Sequence, residues 1–163
     1  MKNTAYIPHK IVTLDTLKNL VAGWRVLGKT VAFTNGCFDI LHEGHIFSLS
    51  QAAAEADYLI VAVNADSSIK KLKGPDRPVN NEHSRSLLLA SLQVVDAVII
   101  FEEDTPRDLI ATLLPDVLVK GGDYTVEQIA GSKEILANGG RVVINPILQG
   151  FSTTALIQKI REH

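Results

Sequence analysis

Residues 30–45 read TVAFTNGCFDILHEGH, and this stretch decides the fold class. Its first half, TVAFTNG (30–36), is a short run of small and β-branched apolar residues, which is typical of a buried strand. The run passes through Gly36 into the start of a helical pattern, where His42 and His45 stand three residues apart. A strand that leads through a glycine turn into a helix indicates the first unit of an α/β fold.

Four similar apolar runs follow along the chain, and none alternates strictly between apolar and polar residues, as expected for strands covered on both faces. They are YLIVAVN (58–64), AVIIF (97–101), DVLVKGG (116–122) and RVVIN (141–145). Helical patterns occupy 14–27, 43–56, 81–93, 106–114, 126–137 and 152–162, with a polar loop over 65–80. Regular alternation of strand and helix predicts a doubly wound, Rossmann-like α/β fold, a parallel five-stranded sheet with helices on both faces.

The length of 163 residues is that of a single domain with one sizeable core. We assign 28–163 to this domain and 1–27 to an N-terminal extension with one helix. The formal net charge of −2 gives no support for wholesale nucleic-acid binding.

The N-terminal stretch lacks the apolar region of a signal peptide, and no apolar run reaches the ~18 residues of a membrane helix. The single cysteine, Cys37, cannot form an intrachain disulfide, and a packed role is favoured over a nucleophilic one because no motif surrounds it. We therefore expect a cytoplasmic protein that does not bind membranes.

Ligands of such sheets bind beyond the carboxyl ends of the strands, so the strand-to-helix turns are where function is sought. The first turn matches neither a dinucleotide-binding fingerprint nor a P-loop. On spacing alone, His42 and His45 could be packed side chains, phosphate ligands or metal ligands. The chain offers no third ligand at zinc-site spacing. Their place at a helix start, where backbone N–H groups and the helix dipole attract anions, favours phosphate.

Basic residues gather after the second strand, at Lys70, Lys71, Lys73 and Arg77. They are either a solvated loop or a phosphate site. In the second case Arg77 could bind a phosphate with two hydrogen bonds and Lys73 could act as a mobile charge.

Two later turns carry further candidates. Lys120, Gly121, Gly122 and Asp123 form a turn after the fourth strand, whose N–H groups are exposed and whose carboxylate could accept hydrogen bonds from a ribose or a base. Ser152 and Thr153 precede the last helix, where they could cap it, and a capped helix start is also an anion site.

The stretch TNGCFDILHEGH resembles the signature of the nucleotidyltransferase superfamily with an H-x-G-H motif, to which the cytidylyltransferases belong. The resemblance implies that His42 and His45 hold a nucleoside triphosphate and stabilise charge as pyrophosphate leaves, with Lys73 and Arg77 assisting. It also implies nucleotide contacts from two further segments, the first turn and an S-[ST]-T element. Their residues are Thr34, Asn35, Gly36, Cys37, Phe38, Ser152, Thr153 and Thr154.

The segments RPVN (77–80), FEEDTP (101–106) and LPDVLVKGGDY (114–124) are similar to the heptose 1-phosphate adenylyltransferase branch. This resemblance implies ATP and a sugar phosphate as substrates, Mg²⁺ accompanying ATP, no metal site of the protein's own, and a homodimer as is common in the family. That domain is often fused to a sugar kinase, for which this chain has no room, so we expect a stand-alone form.

Many cytidylyltransferases have an arginine before the S-[ST]-T element, whereas this chain reads NPILQG (145–150) there. Alternative functions are a glycerol-3-phosphate cytidylyltransferase, an FAD synthetase-like enzyme, or a nucleotide-binding module without catalysis.

Overall fold

A computed structural model of the chain describes residues 5–162 and contains one five-stranded sheet. All neighbouring strands pair in parallel, in the order β3-β2-β1-β4-β5. The strands are β1 (Val31–Gly36), β2 (Tyr58–Asn64), β3 (Ala97–Phe101), β4 (Val117–Gly121) and β5 (Arg141–Asn145). The predicted Rossmann-like fold is confirmed, and each strand lies where its apolar run predicted it.

Helices cover both faces of this sheet, as predicted. They are α1 (Tyr6–His9), α2 (Leu14–Val26), α3 (Glu43–Ala53), α4 (Asp66–Lys73), α5 (Glu82–Ala90), α6 (Arg107–Leu113), α7 (Ser132–Ala137) and α8 (Thr153–Arg161), with a 3₁₀ helix at Val126–Gln128. Within residues 5–162, no helix is both long enough and apolar enough to cross a bilayer.

The core is divided by the sheet into two layers, because successive residues of each strand point to opposite faces. Val31 and Phe33 of β1 join the layer beneath α2, α6 and α7, whereas Ala32 joins the layer beneath α3 and α5. Both layers are lined by fully buried Val, Ile and Leu side chains. This explains why the strand sequences are apolar without alternation.

Two predicted segments differ from the structure. The polar loop predicted over 65–80 contains α4, in which Ile69 is buried and Leu72 is exposed. One buried apolar residue in two turns gives too weak an apolar period to be recognised. The helix predicted over 126–137 is divided at Gly131, whose φ of +86° lies in the left-handed region. A Cβ there would lie 2.7 Å from Ile110 Cγ2.

The segment before β1 packs on the sheet. Ile11 forms a parallel bridge to Val98, next to β3 backbone hydrogen bonds made by Lys10 and Val12. In α2, Leu17 is fully buried, and Trp24 stacks on Tyr58 of β2 with ring centroids 4.2 Å apart. These residues of the predicted extension therefore belong to the core of the same domain.

Candidate active site

The main cleft, a cavity of about 470 Å³, lies at the carboxyl edge of the sheet between β1 and β4. The chain order reverses here, since β2 and β3 follow on one side of β1 while β4 and β5 lie on the other. Such a switch point is where doubly wound sheets bind ligands. The cleft brings together most of the sequence-predicted residues: Thr34, Asn35, Gly36, Cys37, Phe38, His42, His45, Lys73, Lys120, Gly121, Ser152, Thr153 and Thr154.

The two histidines are stacked at the entrance to α3. Their ring centroids are 3.9 Å apart and the ring planes differ by 23°. His42 is the N-cap residue, and its carbonyl accepts a hydrogen bond of 2.9 Å from the His45 N–H. Gly44 between them leaves room for two neighbours, because a Cβ there would lie 2.9 Å from Phe151 Cβ and 3.1 Å from the His42 ring.

The surroundings of both imidazoles favour their neutral forms, because burial lowers both pKa values. Burial, reinforced by the charges of His42 and Lys73, lowers the pKa of His45 to about 4. Burial also lowers the pKa of His42. The Nδ1 atom of each ring is buried and has no hydrogen-bond partner among the described residues. An anion bound beside the rings would favour the protonated forms and supply the acceptors that these nitrogens lack.

The turn that presents the histidines is strained. Phe38 has a φ of 48°, a region that bulky residues rarely adopt. Its ring packs over Gly36, where a Cβ would come within 3.0 Å, and lies 5.4 Å from the His45 ring. Arg85 holds the turn from behind by donating a hydrogen bond of 2.6 Å to the Cys37 carbonyl. The conformation is therefore imposed by its surroundings.

Asp39 fastens the same turn to the segment after α4. Its carboxylate, 2% exposed, accepts hydrogen bonds from Arg77 Nε at 2.7 Å and from the backbone N–H groups of Val79 and Asn80. Burial alone would raise the pKa of this carboxyl, but the hydrogen bonds from Asn80, Val79 and Arg77 outweigh it and lower the pKa.

This contact changes the interpretation of Arg77. The sequence predicted a phosphate ligand, whereas the structure pairs Arg77 with a buried carboxylate and places it outside the residues that line the cleft. The physical reason is Asp39, whose charge needs a partner once it is buried. Arg77 positions the turn in this structure.

Two lysines supply positive charge to the cleft from different elements. Lys73 ends α4, so the negative end of the helix dipole lies beside its ammonium group. Lys120 is the second-last residue of β4, and its Nζ lies 3.4 Å from Asn35 Oδ1. Burial lowers the pKa of Lys120, partly offset by the nearby Cys37.

The start of α8 closes the opposite side of the cleft. Ser152 is the N-cap, and its hydroxyl accepts a hydrogen bond of 3.4 Å from the Ala155 N–H. Thr153 Oγ1 donates to the Ile40 carbonyl at 3.4 Å, which ties this helix start to the first turn. The N-termini of α3 and α8 thus face one cavity, which favours an anion there.

Gly122 and Asp123, also predicted as nucleotide contacts, are not among the cleft-lining residues. Gly122 has a φ of +119°, and the ring of Tyr124 packs over it, within 3.2 Å of where a Cβ would be. Asp123 is exposed. The end of β4 therefore contributes Lys120 and Gly121 to the cleft, whereas the turn after β4 directs Gly122 and Asp123 away from it.

Sequence reasoning missed several apolar and small residues of the cleft, namely Ser48, Leu49, Ile147, Leu148 and Phe151. Phe151 lies with its ring stacked 6.1 Å from the His42 ring. Its position directly before Ser152 was the one available signal, since an aromatic residue beside a helix cap at this edge must face the cleft or solvent.

The profile of the cytidylyltransferase-like family matches residues 33–159, most of the chain and every strand end described above. The chain belongs to the cytidylyltransferase-like family. It is therefore a nucleotidyltransferase.

Similar proteins support this assignment. "Bifunctional protein HldE" of Caulobacter vibrioides is 54% identical over 151 residues, which cover 93% of this chain and 31% of that protein. "Bifunctional protein HldE" of Rhodospirillum rubrum is 52% identical over 93% of this chain and 30% of that protein. The chain thus spans about a third of the length of these relatives.

Solved structures show the same fold. The lipopolysaccharide core biosynthesis protein from Thermoplasma volcanium has 31% sequence identity and a TM-score of 0.59, with 74% of this chain and 98% of that chain covered. A pantoate-β-alanine ligase from Francisella tularensis, at 16% identity and a TM-score of 0.59, covers 94% of this chain and 78% of its own. The second likeness is one of fold alone.

Proposed function

We propose that the protein transfers AMP from ATP to a sugar 1-phosphate, D-glycero-β-D-manno-heptose 1-phosphate, and releases pyrophosphate. The observation that carries this proposal is the cleft itself, where two stacked histidines, two lysines and two helix N-termini converge. The heptose substrate is supported by the resemblance of RPVN, FEEDTP and LPDVLVKGGDY to heptose-phosphate enzymes. It is further supported by relatives named for HldE and for lipopolysaccharide core biosynthesis.

The reaction needs no general base. A phosphate oxygen of the sugar 1-phosphate is already anionic at pH 7 and attacks the α-phosphorus of ATP. The new bond joins this oxygen to the α-phosphorus, and the bond from the α-phosphorus to the bridging oxygen of the β-phosphate breaks. Pyrophosphate leaves with the electron pair, so catalysis depends on alignment and on stabilising charge on the phosphates.

His42, His45 and Lys73 are the groups of the cleft that can meet this charge. The neutral imidazoles donate from one ring nitrogen, and the charge of a bound triphosphate would favour uptake of a proton from solvent at the other, so that the rings are cationic when pyrophosphate leaves. Lys73 supplies a fixed charge on the same side. Ser152, Thr153 and Thr154 can donate hydroxyl and backbone hydrogen bonds to the phosphates at the start of α8.

Mg²⁺ enters the proposal with the triphosphate. The described part of the chain has no group of three His, Cys, Asp or Glu side chains that could hold a metal. The polar groups of the cleft are imidazole, ammonium, amide and hydroxyl groups, which suit phosphate oxygens better than they suit Mg²⁺. When bound to ATP, the ion would neutralise part of the phosphate charge.

Pyrophosphate release with a panel of substrates tests the proposal. ATP or CTP is offered with heptose 1-phosphate, glycerol 3-phosphate or FMN in turn. We expect release with ATP and heptose 1-phosphate, and ADP-heptose as the second product by mass spectrometry. Turnover of CTP with glycerol 3-phosphate, or of ATP with FMN, would replace the proposed substrate. No release with any pair would favour a nucleotide-binding module without catalysis.

A further inference from the structure

A second, smaller cavity of about 190 Å³ lies beside the cleft at the same edge of the sheet. We call it the side cavity. It shares two residues, Asn35 and Lys120, with the cleft, so the two spaces meet at the ends of β1 and β4. Its other polar lining residues are Asp104, Thr105, Tyr124 and Gln128. The proposed roles of the histidines and of the triphosphate give these four residues no function.

The two cavities lie on opposite sides of the β1–β4 edge. The cleft is bounded by α3 and α8, whereas the side cavity lies near the start of α6 and the 3₁₀ helix. Lys120 stands at the junction, with its Nζ 3.4 Å from Asn35 Oδ1 and 5.8 Å from the centre of the Tyr124 ring. A phosphate at this ammonium group would have the α-phosphate of a nucleotide on one side and the side cavity on the other.

The lining of the side cavity suits a molecule with many hydroxyl groups. The Asp104 carboxylate can accept hydrogen bonds, and the Thr105 hydroxyl can both donate and accept. The Asn35 and Gln128 amides can donate from their NH2 groups, while their oxygens accept from Lys120 and from the Thr125 N–H. The Tyr124 ring, 45% exposed, offers an apolar surface to sugar C–H groups. Buried Pro106 and Ile129 provide the apolar remainder of the wall.

The charged residues of the side cavity indicate how a sugar phosphate would be oriented in it. Asp104 would repel phosphate, and Lys120 is the only cation among the side-cavity lining residues within the described chain. The cleft offers the apolar side chains of Ile147, Leu148 and Phe151, which suit the flat face of a base better than a sugar. The nucleotide therefore fits the cleft, and a sugar with its phosphate turned towards Lys120 fits the side cavity.

We propose that the side cavity is the acceptor subsite, in which Asp104 accepts hydrogen bonds from sugar hydroxyls and Tyr124 packs against the sugar ring. This inference rests on the proposed function, since it names where the acceptor of that reaction binds. Lys120 then orients the acceptor phosphate towards the α-phosphorus. Asp104 and Tyr124 determine affinity for the sugar and leave the nucleotide untouched.

Steady-state kinetics of Asp104→Asn and Tyr124→Ala test this subsite. We expect the KM for heptose 1-phosphate to rise about tenfold in each variant, as for loss of one hydrogen bond to a charged group or of one ring contact, while the KM for ATP changes less than about twofold. Tyr124→Phe keeps the ring and should raise the sugar KM less than Tyr124→Ala. Asp108→Asn, an exposed acid outside both cavities, is the matched control and should keep both constants.

A rise in the KM for ATP equal to that for the sugar phosphate would overturn the subsite, because it would place the nucleotide in the side cavity. An unchanged sugar KM in both Asp104→Asn and Tyr124→Ala would also overturn it.

Saturation-transfer NMR with heptose 1-phosphate separates this inference from the proposed reaction. An affinity for heptose 1-phosphate that falls about tenfold in Asp104→Asn and Tyr124→Ala supports the subsite even if no AMP is transferred. An affinity that stays at the wild-type value in both variants rejects the subsite and leaves the reaction standing. Absence of binding together with absence of turnover rejects both.

Discussion

The His42 and His45 rings face each other at 3.9 Å, a distance at which two charged imidazoles would repel strongly without an anion beside them. Burial limits this repulsion, since it lowers both pKa values and so favours the neutral rings. In the proposed reaction, the negative charge of a bound triphosphate would favour protonation instead. Under this proposal, the two histidines gain positive charge at the place where the departing pyrophosphate gains negative charge.

Replacing His45 tests this role in catalysis. We expect His45→Ala to lower kcat by about 10²-fold or more, comparable to the removal of one donor from an oxyanion hole. Pyrophosphate release at saturating ATP and acceptor measures the effect. His83→Ala, which removes an exposed histidine of α5, should retain wild-type turnover. Near-wild-type turnover of a folded His45→Ala protein would remove this histidine from the mechanism.

The low pKa of His45 also predicts a pH dependence of stability. Its pKa is about 4 in the folded protein and about 6.5 in the unfolded chain, which therefore binds more protons between these values. Stability is gained as pH rises through this window and lost as pH falls through it. When the pH falls from 7 to 4.5, we expect the free energy of unfolding of the wild type to decrease by about 2 kcal/mol more than that of His45→Gln, after allowance for partial exposure.

Urea unfolding at the two pH values measures this difference. Titrating groups that do not interact with His45, including Asp39, are common to both proteins and cancel. His83→Gln serves as the control and should lose as much stability as the wild type. Equal losses in His45→Gln and the wild type would show that His45 does not titrate in this window.

At the residue scale, sequence reasoning placed His42 and His45 correctly at the start of a helix that borders the cleft, whereas their role in binding phosphate stays a prediction. His42 and His45 were open to three explanations by spacing, and their place at a helix start favoured phosphate. Arg77 shows why other contacts of the site could not be predicted from the sequence. Its partner Asp39 lies 38 residues earlier, and only the fold brings the two side chains together. Phe151 meets Gly44 and His42 in the same way, across more than 100 residues.

At the scale of elements, Arg85 of α5 connects the parts of the site. Its side chain is fully buried and donates to the carbonyls of Cys37, Asn64 and Asn80 and to the Asp66 carboxylate. These acceptors belong to the first turn, the end of β2, the start of α4 and the segment before α5. One guanidinium group thus fixes the position of α4, which carries Lys73, relative to the histidine turn.

Removing this group should be costly. We expect Arg85→Met to destabilise the protein by about 3–5 kcal/mol, since it leaves Asp66 and three carbonyls without their donor. Arg85→Lys keeps the charge but can donate to fewer acceptors, so its free energy of unfolding should lie between those of the wild type and Arg85→Met. Chemical denaturation measures both effects. Arg107→Met, which breaks the exposed pair with Glu134, is the control and should leave the midpoint nearly unchanged.

Retention of wild-type stability by Arg85→Met would show that the connection is dispensable. The sequence could not indicate this residue, because an arginine in a helix of mixed polarity is normally on the surface. For a similar reason α4 was not predicted: its sequence, DSSIKKLK, is mostly polar, although the helix buries Ile69.

At the scale of the whole molecule, the sheet needs the segment that precedes the family motifs. The boundary at residue 28 followed the motifs, which begin with β1, and the family profile likewise begins at residue 33. One face of β1 and β3 is covered by α2, whose Leu17 and Val21 join the same buried layer as Phe33 and Ile99. Family motifs mark residues of the functional site, whereas core residues are those that cover the faces of the sheet. The motifs therefore did not reveal that α2 contributes to the core.

Truncation of Leu17 tests whether α2 is an integral part of the domain. Leu17 is fully buried, and Leu17→Ala should cost about 2–5 kcal/mol through lost apolar burial and the cavity left behind. Leu20→Ala, one turn further along at a position 36% exposed, should cost clearly less. Urea denaturation gives both values. No α2 residue lines the cleft or the side cavity, so kcat of the folded Leu17→Ala protein should equal that of the wild type. Equal, small losses in both variants would show that α2 is an appendage, and the sheet would then have to be stable with that face uncovered.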